Sequence, residues 1–163
     1  GQPVSESIDQ PVCQPDCEFI GQPVSESIGQ PIGQPVSEFI GQPVCQPDLG
    51  FQGPGTASLS VCGDALVGQG KADLTVSSDK PSAVVFLAYG GAASPTPLFG
   101  GTVVPLPAAG IQVLLTDAQG DAVVPGLQAG PTALTVFVQA AVFDPLQAQG
   151  FQLTNAVQID FLP

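Results

Sequence analysis

The sequence predicts an all-β fold, namely a single antiparallel β-sandwich of eight or nine short strands that follows an extended, proline-rich repeat arm. Residues 49–163 contain short alternating or apolar runs separated by glycine- and proline-rich turns, which is the pattern of an antiparallel sandwich. None of these runs shows the helical period. Residues 1–48 instead repeat a four-residue unit, so the chain divides into an arm (1–48) and a domain (49–163).

The arm is built from units such as GQPV and SESI, and residues 1–20 and 21–40 are two copies of a longer repeat. Proline recurs after glutamine throughout the arm. This excludes helix and disfavours a central strand, so polyproline II or edge-strand backbone remains. At about 3.1 Å per residue, an arm of this length extends on the order of 150 Å, which is far enough to contact another molecule.

Apolar side chains recur along one face of an extended arm, because a period of four is a multiple of the two-residue period of extended chain. The alternative is a flexible spacer in which these residues have no role. We expect the arm to be ordered by neighbouring copies of the chain instead. The predicted assembly residues are Val4, Ile8, Val12, Phe19, Ile20, Val24, Ile28, Ile32, Val36, Phe39, Ile40 and Val44.

The strands of the domain are predicted from local patterns. The run Ser82–Tyr89 is nearly all apolar and is predicted to be a buried strand. Leucine and valine side chains, together with Phe86, Phe137, Phe143 and Phe161, are expected to form the core. In order, the predicted strands are Thr56–Cys62, Lys71–Ser77, Ser82–Tyr89, Thr102–Leu106, Ile111–Thr116, Ala122–Val124, Thr132–Phe143, Phe151–Thr154 and Val157–Leu162.

Aspartate and glycine residues between these strands predict turns. Asp117 to Gly120 is the clearest example, since turns select Asp and Gly. Asp117 and Asp121 are also weighed as a calcium site, but the EF-hand pattern is absent and a turn is favoured. Asp144 and Asn155 are interpreted as turn residues in the same way.

Charge and composition limit the possible partners. The 163 residues carry a formal charge of −12, with two lysines and no arginine or histidine. A chain so poor in cations is not expected to bind nucleic acid or anionic membrane, and it has no apolar run long enough for membrane insertion. The low charged fraction is typical of extracellular β-proteins. We expect an extracellular or cell-surface protein that has lost a secretion leader.

Four cysteines are present, at Cys13, Cys17, Cys45 and Cys62. In a secreted chain they favour disulfides over a metal site, and three pairings are possible. Zinc is disfavoured because no histidine is available and the cysteine spacing is loose.

Enzyme activity is not predicted, and neither is any cofactor, metal or catalytic residue. The absence of histidine excludes imidazole-assisted nucleophilic catalysis, and no nucleotide-binding or hydrolase motif is found. Aromatic residues suited to a sugar platform are also scarce, with no tryptophan and one tyrosine.

Several motifs in residues 45–163 resemble those of a known family of domains. CxxDLGF at Cys45–Phe51, the D-x-x-G turn, VxDPxxxxGFxxxNA at Val142–Ala156 and the terminal FLP resemble a C-terminal β-domain of secreted proteins from planctomycetes and similar environmental bacteria. The resemblance covers residues 45–163 and not the repeat. It implies an exported β-domain with a disulfide between Cys45 and Cys62. Cys13 and Cys17 would then pair with each other or with another subunit.

These observations favour a structural role over a catalytic one. We expect a subunit of an extracellular filament or surface assembly whose partners are copies of itself. The arm would pack on neighbouring subunits or donate a strand to them. The alternative is a secreted adhesin or carbohydrate-binding module on a proline-rich stalk.

Overall fold

The computed structural model describes residues 43–163, and all regular secondary structure in this range is β-strand. The all-β prediction is confirmed for this part of the chain. All nine predicted strands are present, Lys71–Ser77 with the predicted ends and the other eight with shifted ends, and three short strands (the first, second and sixth) were not predicted. The strands are β1 (Val44–Cys45), β2 (Asp48–Gly50), β3 (Ser58–Gly63), β4 (Lys71–Ser77), β5 (Val84–Gly90), β6 (Thr96–Leu98), β7 (Gly101–Val103), β8 (Gly110–Leu115), β9 (Asp121–Gln128), β10 (Leu134–Phe143), β11 (Phe151–Leu153) and β12 (Ala156–Phe161).

These strands form three antiparallel sheets. A four-stranded sheet has the order β1-β3-β4-β9. A six-stranded sheet has the order β2-β12-β10-β5-β8, with β11 paired to the far part of β10. The third sheet is the hairpin β6–β7.

One hydrophobic core receives side chains from both larger sheets. In β4 the sequence KADLTVS buries every second residue, which is the two-residue alternation of a strand with one covered face. Strands β5, β10 and β12 bury alternate residues in the same cluster. Its larger members are Leu59, Val61, Leu66, Leu74, Val76, Val85, Leu87, Val138, Val142, Val157 and Ile159.

The side chain of Asn155 links the two larger sheets. It lies between β11 and β12, is buried, and accepts a hydrogen bond from the Leu59 N–H (2.8 Å) while donating one to the Leu59 carbonyl (2.9 Å). The interpretation of Asn155 as a turn residue is wrong, because the chain does not turn between β11 and β12, which both pair with β10. Its amide instead satisfies two buried backbone groups of β3, which would otherwise cost free energy.

The predicted aromatic core is wrong at three positions. Phe86 is 36% exposed and Phe143 is 45% exposed, and the half-buried Phe137 lies on the face of β10 opposite to the core residue Val138. Phe161 packs against the core as expected. The core side of β5 is occupied by the neighbouring residues, among them Val85. In an all-apolar run either alternate set of residues can face the core, so the sequence does not show which set does.

A disulfide joins Cys45 in β1 to Cys62 in β3, which confirms the pairing that the resemblance implied. This bond fits an oxidising compartment. Cys13 and Cys17 lie outside the described residues. So do all of the predicted assembly residues except Val44, which is exposed in β1.

The last units of the repeat pattern pair with the domain. Val44–Cys45 forms β1 against β3, and Asp48–Gly50 forms β2 against β12. Strand pairing of the domain therefore begins at Val44, within the repeat pattern, which ends at Asp48.

Replacing both Cys45 and Cys62 by serine is expected to lower the free energy of unfolding by about 2–4 kcal/mol, because the unfolded chain regains the freedom of the closed loop. Urea unfolding of the non-reduced proteins, followed by circular dichroism, measures this change. The control replaces Cys13 and Cys17 by serine and leaves the Cys45–Cys62 bond in place. Equal unfolding midpoints for the two double variants would contradict the prediction.

Candidate binding surface on the outer face of the six-stranded sheet

The six-stranded sheet has an apolar face that points away from the core, here called the outer face. Strand register places its residues side by side: Phe86 in β5 lies opposite Val113 in β8 and opposite Ala141 in β10. The apolar outer-face residues of these strands and of β11 are Val84, Phe86, Ala88, Ile111, Val113, Leu115, Phe137, Ala141, Phe143, Phe151 and Leu153. Contiguous exposed apolar surface of this kind marks an interaction site.

Part of the outer face is covered by the hairpin β6–β7 and by the segment that follows it. A cavity of about 350 Å³ remains between them. Almost every lining side chain is apolar. The lining residues are Phe86, Ala88, Leu98, Phe99, Val103, Leu106, Ala108, Ile111, Gln139, Ala140, Ala141, Phe151 and Leu153.

Phenylalanine rings cluster around Phe151 at one side of the cavity. Its ring centroid lies 5.1 Å from that of Phe99 and 5.9 Å from those of Phe86 and Phe143. The Phe86 and Phe143 rings stand at 75° to it, which is the edge-to-face geometry that aromatic pairs prefer. Phe86 and Phe143, which were predicted to lie in the core, thus belong to this surface cluster.

Gln139 is the polar side chain of the cavity lining, and its amide is bonded to backbone groups on both sides. Its Oε1 accepts a hydrogen bond from the Val104 N–H (2.9 Å). Its Nε2 donates to the carbonyls of Thr102 (3.0 Å), Thr154 (2.8 Å) and Phe51 (3.2 Å). Gln139 therefore has no free hydrogen-bond donor for a ligand in the cavity.

A polar network holds the β10–β11 connection that carries two of the rings. Asp144 follows Phe143, and Gln152 follows Phe151. Gln152 Nε2 donates to Asp144 Oδ2 (2.9 Å) and to Asp79 Oδ1 (2.6 Å). The Nζ atom of Lys80 lies 3.2 Å from Asp79 Oδ2 and 3.4 Å from Asp144 Oδ2.

Protonation states in this network follow from these contacts. The hydrogen bond from Gln152 lowers the pKa of the buried Asp144 carboxyl and also that of Asp79. The hydrogen bond with Asp79 raises the pKa of Lys80. The two carboxylates and the ammonium group therefore stay charged around neutral pH and hold the β10–β11 connection in place.

The turn after β8 is confirmed at Asp117. Its Oδ1 accepts hydrogen bonds from the backbone N–H groups of Gln119 (2.8 Å) and Asp121 (3.0 Å). The bonds from Asp121 and then Gln119 lower the pKa of the Asp117 carboxyl. Within residues 43–163 no group of three acidic or cysteine side chains is placed to hold a metal ion.

Strand β8 forms one edge of the six-stranded sheet and is apolar on its outer face. Ile111, Val113 and Leu115 are 63%, 61% and 66% exposed. The Thr116 N–H donates to the Ala83 carbonyl, so the backbone of Thr116 faces the β5 side. Every second residue of an antiparallel strand faces the same neighbour, so Leu114 and Gln112 also bond to β5. The backbone N–H and C=O groups of Ile111, Val113 and Leu115 then point away from β5, toward the open edge.

The other edges of the two larger sheets are protected. Edge strand β9 contains Pro125, and its pairing with β4 is interrupted by a register shift between Ala72 and Leu74. Strands β1, β2 and β11 are only two, three and three residues long, and Leu153 of β11 also exchanges backbone hydrogen bonds with Gly53 and Pro54. β8 has six residues with no proline, charge or register shift. Among these edges it is the one that lacks the usual devices against pairing with another chain.

Sequence reasoning placed the assembly residues in the arm and missed the surface that could receive them. A signal existed in Ile111, Val113 and Leu115, which alternate with Gln112. This alternation did not identify the surface, because Leu114 is apolar as well. The sequence also does not show that β8 lies at an edge, since that depends on the sheet topology.

No family model, curated protein or solved structure matches this chain. Within the described residues, no helix is long and apolar enough to cross a membrane.

Acid is expected to destabilise the domain through Asp144 and Asp79. Because their pKa values are lowered by folding, their contribution is present above the usual carboxyl pKa of 3.8 and is lost as the pH falls through the lower folded values. Asp144→Asn should flatten the acid end of the profile and lower stability at neutral pH. Urea unfolding between about pH 6 and about pH 2 measures both effects. A variant with the wild-type pH profile would contradict this assignment.

Proposed function

We propose that this protein is a structural subunit of an extracellular filament or surface assembly, in which the repeat arm of one copy binds the domain of the next. The open edge of β8 is the observation that supports this function best. It offers unpaired backbone groups and exposed apolar side chains at the same three residues, Ile111, Val113 and Leu115. Addition of an extended segment to such an edge is a common mode of protein recognition.

The architecture that we propose for the domain is a β-sandwich of the two larger sheets. Its support is the main hydrophobic core, to which both sheets contribute alternate residues. In such a sandwich the six-stranded sheet has one face in the core, and the outer face and the β8 edge remain available to a partner.

The arm sequence suits an added strand because its prolines all have odd numbers. They occur at positions 3, 11, 15, 23, 31, 35, 43 and 47. Backbone hydrogen-bonding groups of successive residues in a strand point to opposite edges. In an extended arm every missing proline N–H would therefore lie along one edge, and the even-numbered residues would present a complete set of donors and acceptors along the other.

Valine and isoleucine residues of the arm have even numbers, for example Val4 and Ile8. If the even-numbered residues pair with β8, they lie opposite Ile111, Val113 and Leu115. Paired residues in an antiparallel ladder point to the same face, so the arm side chains would contact these three residues on the outer face. One register thus satisfies both the backbone and the side chains.

The arm and the domain are both acidic, because residues 49–163 carry seven aspartates against two lysines, but charge at β8 itself does not oppose the contact. The arm carries seven acidic residues and no basic one, so it would be repelled by an acidic strand. The sequence of β8, GIQVLL, has no charged residue. A contact between an arm and the β8 of another copy is heterologous, and repetition of a heterologous contact that does not close builds a filament.

The alternative, a stalked adhesin or carbohydrate-binding module, has less support. Sugar recognition depends on hydrogen-bonding groups arranged around an aromatic surface. The cavity on the outer face is lined by apolar side chains and by Gln139, whose amide is already bonded to the backbone. An extracellular location and the relationship to secreted bacterial β-domains stay predictions.

Assembly is expected to depend on the β8 edge. Val113→Glu places a negative charge beside the proposed arm strand and should abolish polymers, because six of the seven acidic residues of the arm have even numbers and would lie on the same face. Val123→Glu is the matched control, since Val123 is 51% exposed on the other edge strand, β9. Negative-stain microscopy and sedimentation velocity of the full-length proteins measure the outcome.

Wild-type filaments that persist with Val123→Glu and disappear with Val113→Glu are the expected result. Deletion of residues 1–40 should likewise leave monomers. A monomeric wild-type protein, or filaments that survive Val113→Glu and the deletion, would contradict the proposal. Loss of filaments in both glutamate variants would show a general charge effect and would also count against β8.

A further inference from the structure

We propose that the cavity between the hairpin β6–β7 and the outer face binds a compact apolar molecule, such as an aromatic compound of two fused rings. This inference does not depend on the assembly role. It rests on the chemistry of the lining, the size of the cavity and the backbone conformation of one residue at its mouth.

The lining excludes polar ligands. Almost all of the lining is apolar, and both hydrogens of the Gln139 amide are already donated to backbone carbonyls, while its oxygen accepts from the Val104 N–H. Across residues 43–163 no buried side-chain nitrogen or oxygen lacks a partner. A sugar or nucleotide would lose its hydrogen bonds to water here without replacement, whereas an apolar molecule has none to lose.

The size of the cavity fits a ligand of two rings. Its volume is about 350 Å³. An apolar protein cavity of roughly 150 Å³ is enough to hold benzene, so this cavity has room for a second ring. The space exists because Ala88 and Ala141 stand on its wall at strand positions where a larger side chain would fill it.

The aromatic side chains around the cavity provide preferred contacts for such a ligand. Phe86, Phe99 and Phe151 all line it, and their rings are inclined to one another at 55° and 75°. Faces and edges are therefore both presented to the space between them. A planar ring entering this space can stack on one ring and meet the edge of another.

Phe99 is held in an unfavourable backbone conformation at the mouth of the cavity. Its φ is 54°, in the left-handed region that bulky residues rarely adopt, and the next residue, Gly100, has φ 75°. Glycine at position 99 would accept this turn without strain. Its phenyl ring, 36% exposed, is placed against Phe151 and over the cavity instead. Strain of this kind at a cavity points to a binding role.

The experiment uses the full-length protein and the neutral fluorescent probe N-phenyl-1-naphthylamine. We expect a saturable rise in fluorescence with one site per chain, reversed by naphthalene and unaffected by glucose. Ala88→Leu should weaken binding by about tenfold or more, because the added carbons occupy the space of a ring. Ala133→Leu, an exposed position just before β10, is the matched control and should bind as the wild type does.

Two variants of Phe99 distinguish a role in binding from a role in stability. Phe99→Gly and Phe99→Ala both remove the ring and should weaken the probe by a similar factor. The glycine variant should melt above the alanine variant because it relieves the left-handed strain. Failure of the full-length protein to bind, unchanged binding by Ala88→Leu, or unchanged binding by both Phe99 variants would each overturn the proposal.

Discussion

The outer face of this domain depends on the hydrogen bonds of one buried amide, that of Gln139. It receives or donates bonds to backbone groups from three separate segments, at Phe51, at Thr102 and Val104, and at Thr154. Gln139 is buried, and a polar group without a partner in such surroundings is costly. An apolar side chain of the same size would remove all four of these bonds. The hairpin β6–β7, and with it the cavity, is held to the six-stranded sheet in this way.

The two faces of the six-stranded sheet serve different purposes. The inner face completes the core and is linked to the four-stranded sheet by Asn155. The outer face is only partly covered and leads into the open edge of β8. Ile111 belongs to both regions, since it lines the cavity and presents its backbone at the edge. A strand added to β8 would therefore lie beside the mouth of the cavity.

Sequence patterns predicted the strands and the Asp117 turn because these depend on local alternation and turn chemistry. They did not predict β6, because Pro97 within Thr96–Leu98 argues against a strand. The two faces of β5 and β10 could not be distinguished either, and Phe86 was placed on the wrong side. The roles of Gln139 and of the β8 edge depend on which segments meet in the folded chain, and no local pattern contains that information.

The Cys45–Cys62 bond has a mechanical consequence. If the assembly is stretched, tension on the arm reaches the domain through its first residues. The two residues of β1 alone would be peeled from β3 one hydrogen bond at a time. The disulfide passes the load covalently to Cys62, inside β3, so that further extension requires rupture of the hydrogen bonds between β3 and β4. The weakest element of the sheet is thus removed from the path of the force.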